Sequence, residues 1–268
     1  MVLLILAAAM PLSIAVANVA LGVAVLLLVR RLLVERGTFR RLRGGITLPL
    51  LLYLAVYLFA TFVTRYPVHI AGFIEDKWVV MCYLVALGLV ENGRCARELM
   101  VTQIIAGSLG AVYAVFQSAV GYDYIRGKEL ETVGSGHIAL GTFSHHLTFG
   151  GVALVVFLLA LGWLVFAPGA IRKGWKIAAT LITGAGLFVS YARSAVVGLT
   201  AAGGVIILAA RSRIRNRLLI GGIAVMLAAF LLLPGFSHRF VKAVGGGEQN
   251  ESPRLRLWLT AVAIIKDH

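Results

Sequence analysis

Three side chains in this sequence are placed to do chemistry on an anion or a hydroxyl group: Arg193, Arg254 and His145. Arg193 stands alone in LFVSYARSAVVGLT, between the apolar runs 177–192 and 194–210. A guanidinium in or beside membrane-length apolar sequence is costly, so by default it marks a site. The competing reading is a loop arginine that snorkels from a tight helical hairpin. Arg254 follows Ser252, a good helix N-cap, and Pro253, a good first helical residue. The helix dipole already presents positive charge there, so an arginine in that first turn is unfavourable unless an anion binds. Trp258 would share its face, while Arg256 would lie about 200° round the helix. The alternative for this stretch is an interfacial amphipathic helix with snorkelling arginines. His145 sits in GTFSHH beside His146 and close to His137. A metal site is set aside, because adjacent histidines point apart in regular structure and no Cys or carboxylate stands at zinc-ligand spacing. A substrate-contacting or a structural role for His145 both stay open.

These residues need a scaffold, and the composition says which kind. Of 268 residues 60% are hydrophobic and 13% charged, with mean hydropathy +0.94. That is too apolar and too poor in charge for a soluble domain, so the chain is a polytopic membrane protein. Apolar stretches fall at 1–29, 46–64, 78–90, 99–120, 146–166, 177–192, 194–210 and 218–233. They read as helices, because in lipid every backbone amide needs an internal partner. The alternation of a membrane barrel is absent. The expected fold is therefore all-α, one transmembrane helical bundle over 1–268 with about eight hydrophobic segments. Some segments, notably 78–90, fall short of the roughly 20 residues of a straight span and need tilt or bilayer thinning.

Charge sets the orientation. With 30–45, 91–98, 167–176 and 211–217 on one side, that side holds 15 basic and 3 acidic residues, net +12. The other side holds 10 basic and 8 acidic residues, net +2. The positive-inside rule makes the first side cytoplasmic and puts Arg193 on the outer face. The isoelectric point near 10.5 is then a topology signal that needs no nucleic acid.

The long outer loops are 121–146 and 234–258. Glycines 134, 136 and 141 in the first permit close backbone approach or positive φ. GGGEQNES in the second reads as mobile. His69, in RYPVHIAGFIEDKW, reads as a wetted interface residue. Cys82 and Cys95 lie in different parts of the topology, which argues against a disulfide or metal pair. The uncharged stretch 1–28 reads as retained membrane sequence, which Pro11 and Ser13 either break into a hairpin or kink; the side of the N-terminus stays open.

GTFSHHLTFGG (141–151), SYARSAVVG (190–198) and SPRLRLWLTAVAIIKDH (252–268), taken in order, resemble the O-antigen ligase and polymerase superfamily of bacterial membranes, as does PLSIAVANVALG at 11–22. The resemblance implies a helical glycosyltransferase-like fold with its active face on the periplasmic side of the inner membrane. It implies transfer of a glycan from an undecaprenyl diphosphate carrier to an acceptor, the lipid A-core in the ligases, with no metal or other cofactor. Carried over by motif, Arg193 and Arg254 are the arginines that contact the carrier diphosphate. The family pattern continues past a segment like IIKDH into a region with the acceptor-activating histidine, so that residue is expected beyond His268. The chain thus resembles the N-terminal two-thirds of such an enzyme, and alone it is expected to be inactive. The other readings are a glycan polymerase of the same superfamily, a lipid-carrier transporter, and a non-catalytic remnant. A transporter predicts mid-membrane charges and a repeat between halves, and neither is present.

Overall fold

The computed structural model describes residues 1–63 other than 36, 39–41 and 43–45, residues 80–167 other than 134–135, residues 173–232, and residues 257 and 259–264. The first apolar stretch makes two helices, α1 (Val2–Ala9) and α2 (Ile14–Val34). Pro11 has no amide hydrogen to continue α1, and the Ser13 hydroxyl accepts from the Val16 amide at 3.4 Å to begin α2. The two helices pack on each other, so the stretch is a break and not a kink. At 1.5 Å per residue α1 rises only about 12 Å, well short of a bilayer core.

The chain continues through α3 (Thr47–Val63), α4 (Val80–Leu89), α5 (Gly93–Val120), α6 (His146–Phe166), α7 (Lys173–Val189), α8 (Arg193–Ala209) and α9 (Ser212–Leu232). Residues 259–264 are also helical. By length and composition three described helices, α2, α5 and α6, can cross a membrane. The sequence suggested about eight such segments. The difference arises because several apolar helices are short, at Thr47–Tyr57, Val80–Leu89 and Arg193–Ala209.

Helix α5 is the hub, and it packs against α1, α6 and α7. Small residues let three backbones reach it. A Cβ on Gly107 would lie 2.6 Å from Val156 of α6, and one on Gly110 would lie 3.4 Å from the Pro11 carbonyl oxygen. On α7, a Cβ on Gly186 would meet Ala111 at 2.6 Å. Close approach through small residues suits helices that gain little from burying apolar area against apolar lipid. Large apolar side chains such as Val19, Leu26, Val197 and Leu208 stay exposed, as expected of a lipid-facing surface.

Two clusters divide the interior along its length. Ile104, Ala160, Trp163 and Ala179 fill one half. Ala114, Phe143, Phe149, Leu187 and Ala192 fill the other. Beyond the first cluster lies a basic end. There Arg31 is paired with Glu35 and Glu91, both at 2.8 Å. Lys176, 2% exposed, donates to the Ala167 carbonyl and lies 5.0 Å over the Trp163 ring. Beyond the second cluster lies the loop end. Here the expectation of an all-α chain needs one correction, since two short antiparallel hairpins form. They pair β1 (Tyr122–Asp123) with β2 (Lys128–Glu129) and β3 (Thr132–Val133) with β4 (Gly136–His137). Polar, glycine-bearing sequence outside the apolar runs can satisfy its amides through such ladders.

Candidate functional site

The loop end is a built structure. Helix α5 stops at Gly121 with φ +77°, its amide donating to the Gln117 carbonyl at 2.8 Å, a left-handed cap that glycine adopts without strain. Gln117, fully buried, then spans to the far side of the loop. Its Nε2 donates to the Gly141 carbonyl at 3.1 Å, and its Oε1 accepts from the Leu140 amide at 3.2 Å. Asp123 is also fully buried, and accepts from Tyr113 Oη at 2.8 Å, Arg126 Nη1 at 2.8 Å and the Ile125 amide at 3.1 Å. Arg126 Nη2 donates onward to the Thr142 carbonyl, and the Thr142 hydroxyl reaches the Pro11 carbonyl at 3.4 Å. Burial pushes the Asp123 carboxyl up, but the hydrogen bonds from Arg126 and Tyr113 outweigh it and hold the group below the usual carboxylate range.

The same loop is tied to the turn that precedes Arg193. The Ala139 amide donates to the Val189 carbonyl at 3.0 Å. Tyr191, buried against Val133 and Ile138, takes φ +51°, a left-handed conformation costly for an aromatic residue. A Cβ on Gly136 would lie 2.8 Å from the Tyr191 hydroxyl oxygen. Glycine 136 thus serves the close approach expected of it, and Gly141 takes φ +56°. Helix α6 presses on the same turn, because a Cβ on Gly150 would lie 2.4 Å from that of Ala192.

Arg193 is the first residue of α8. The N-cap, Ala192, offers no side-chain hydrogen bond, and the amides of Ala195 and Val196 turn back to the Ala192 carbonyl. That leaves the start of the helix with free amide donors and the positive end of its dipole. The Arg193 side chain is exposed, and no described residue pairs with it. The structure therefore puts Arg193 on a helix start, where the sequence left open a loop residue. Arg254, its expected partner, lies outside the described residues, as do Trp258, Arg256 and His268.

His145 is the N-cap of α6, with its Nδ1 accepting from the Leu147 amide at 3.2 Å. It does not point away from His146. The rings stack at 4.7 Å with 23° between planes. The reason is local: His145 is extended, at φ −135° and ψ 134°, while His146 is already helical, so the pair obeys neither regular repeat. Among the described residues no three His, Cys, Asp or Glu side chains converge as a metal-binding group, and both described cysteines are free thiols.

Tyr113, Gln117, Asp123 and Arg126 were not singled out by the sequence. A signal was present: Tyr113 and Gln117 are four apart near the end of an apolar helix, and Asp123 and Arg126 three apart just after it.

Apolar helices packed through small residues, with charge gathered at one end and a folded loop at the other, define a polytopic helical membrane protein. Residues 178–268, which include the Arg193 turn, match the O-antigen ligase family model (Wzy_C), in agreement with the superfamily that the motifs resemble. No curated protein and no solved structure matches the chain.

Proposed function

We propose that this chain is an O-antigen ligase-like glycosyltransferase of the bacterial inner membrane, with its loop end facing the periplasm. In this reading a glycan passes from undecaprenyl diphosphate to a lipid A-core or other glycan acceptor. The observation that carries it is Arg193: exposed, unpaired among the described residues, and set at the uncapped start of a helix within the family-matched region. An acceptor hydroxyl oxygen attacks the anomeric carbon while the bond from that carbon to the diphosphate oxygen breaks. Negative charge then grows on the departing diphosphate. A guanidinium fork beside free helix amides meets that charge with donors already oriented, which is worth more in a dry site than in water. Arg254 supplies the second fork. The proton lost by the acceptor passes to a general base, a role that the guanidinium clamp itself cannot fill. A glycan polymerase of the same superfamily would use the same clamp and differ in its acceptor.

The test is Arg193→Lys and Arg254→Lys in the protein expressed from its own reading frame, with glycan transfer read on a gel and membrane abundance measured alongside. Lysine keeps the charge and loses the planar fork, so transfer should fall roughly a hundredfold or more at unchanged abundance. Normal transfer by both variants would remove the diphosphate clamp.

A further inference from the structure

We propose that the crevice between the loop hairpins and the start of α6 is a saccharide-binding site, with His145 as a hydroxyl-orienting donor. The inference rests on the glycan-transfer reading above and adds where a sugar sits. The crevice encloses about 310 Å³, the lower range of small-molecule pockets and room for a sugar or two. Its rim carries Lys128, Glu129 and Glu131 from the loop and Ser144, His145 and His146 from the approach to α6. Its floor is Leu130, Ile138 and Leu140, all buried.

The chemistry of that rim selects the ligand class. Because Nδ1 of His145 accepts from the Leu147 amide, the neutral ring carries its hydrogen on Nε2 and offers a donor. The Glu129 carboxylate accepts, Lys128 donates and Ser144 does either. Alternating donors and acceptors above an apolar floor suit a ring with hydroxyls at its edge and C–H groups on its face. Two carboxylates against one ammonium disfavour an anionic ligand, so this is not a second diphosphate site. The same hydrogen bond gives His145 its limit: its lone pair is already committed to capping α6, so it orients a hydroxyl and does not act as the acceptor-activating base. Placement agrees. Ile138, on the crevice floor, also packs against Tyr191, two residues before Arg193 in the chain, so the crevice floor adjoins the turn that leads into Arg193.

The sugar could belong to the carrier-linked glycan or to the acceptor, and the test separates them. The full 268-residue chain in detergent is probed by saturation-transfer NMR with chitobiose, lactose and mannobiose, each free and each joined through diphosphate to farnesol. Transfer to ring protons is expected for at least one sugar. It should fall at least fivefold in Glu129→Gln and in His145→Asn; asparagine keeps the helix cap and removes the Nε2–H donor, and thermal melts check folding. Binding of a free disaccharide assigns the crevice to the acceptor; binding of only linked forms assigns it to the donor glycan. No transfer to any sugar, or equal transfer in both folded variants, overturns the proposal. The anion reading is judged apart. Inorganic pyrophosphate should broaden in ³¹P spectra with the wild type and not with Arg193→Ala. No broadening with the wild type, or equal broadening with Arg193→Ala, sinks the clamp while the sugar signal stands, and pyrophosphate binding without any sugar signal sinks the crevice.

Discussion

The two ends of the bundle hold their arginines in opposite ways. At the basic end Arg31 has an 18% exposed side chain, and it is met by Glu35, Glu91 and the Gly88 carbonyl. At the loop end Arg126 is equally well matched by Asp123 and the Thr142 carbonyl, but Arg193 has no such partner among the described residues. A guanidinium whose donors are filled from within the chain holds helices together. One left open at a helix start is available to something that arrives. The contrast separates arginines satisfied within the chain from one left open, and the proposed function rests on the open one.

The largest effect should come from setting the two kinds against each other. Arg31→Lys should leave glycan transfer within about threefold of wild type, since lysine still pairs with Glu91, whereas Arg193→Lys should cost roughly a hundredfold. Equal losses in both, on the same gels, would erase the distinction. Next comes the internal match at the loop end. Asp123→Asn leaves Arg126 without its counter-charge, and should destabilise the loop by about 3 kcal/mol, as breaking a buried pair does. Hydrogen exchange at the Gly127 and Leu130 amides reports it, and unchanged protection would show that the pair is incidental.

Acidity probes the same pair with a fixed sign. The folded Asp123 carboxyl titrates below its usual range, so its stabilisation is fully present above the unfolded carboxylate range. It is lost as pH falls through the lower, folded value. Protection of the loop amides should therefore drop on acidification in the wild type, and this component should be missing in Asp123→Asn. A smaller effect is expected of Gly136→Ala, about 1–3 kcal/mol, because its methyl would need the space of the Tyr191 hydroxyl. Smallest is Lys176→Met at the basic end, about 1 kcal/mol, since the methionine still packs on Trp163. Thermal melts in one detergent rank the two.

Much of this frame was legible in the sequence. Segments 99–120 and 146–166 became parts of α5 and α6, and the tight hairpin around Arg193 became the 190–192 turn. Apolar length and glycine position carry that information locally. The Asp123–Arg126–Tyr113 lock was not legible, because aspartate and arginine in a polar loop look solvated until α5 and the Thr142 strand of chain are known to close over them. The stacked imidazoles escaped for a related reason, as the regular-structure rule fails at a helix boundary. The expected convergence of Arg193 with Arg254 lies outside the described residues, and the expected sidedness rests on the charge split alone.

The shortness of α1 has a consequence for how the chain is threaded. Leu4 lies beside Arg94, Arg97 and Glu98 at the basic end, and α2 returns to that end where Arg31 meets Glu91. The start of α1 and the end of α2 therefore lie at the same end of the bundle. A green fluorescent reporter on Met1 and one inserted between Ala210 and Arg211 must then share a fate in cells, both glowing or both dark, whichever compartment receives them.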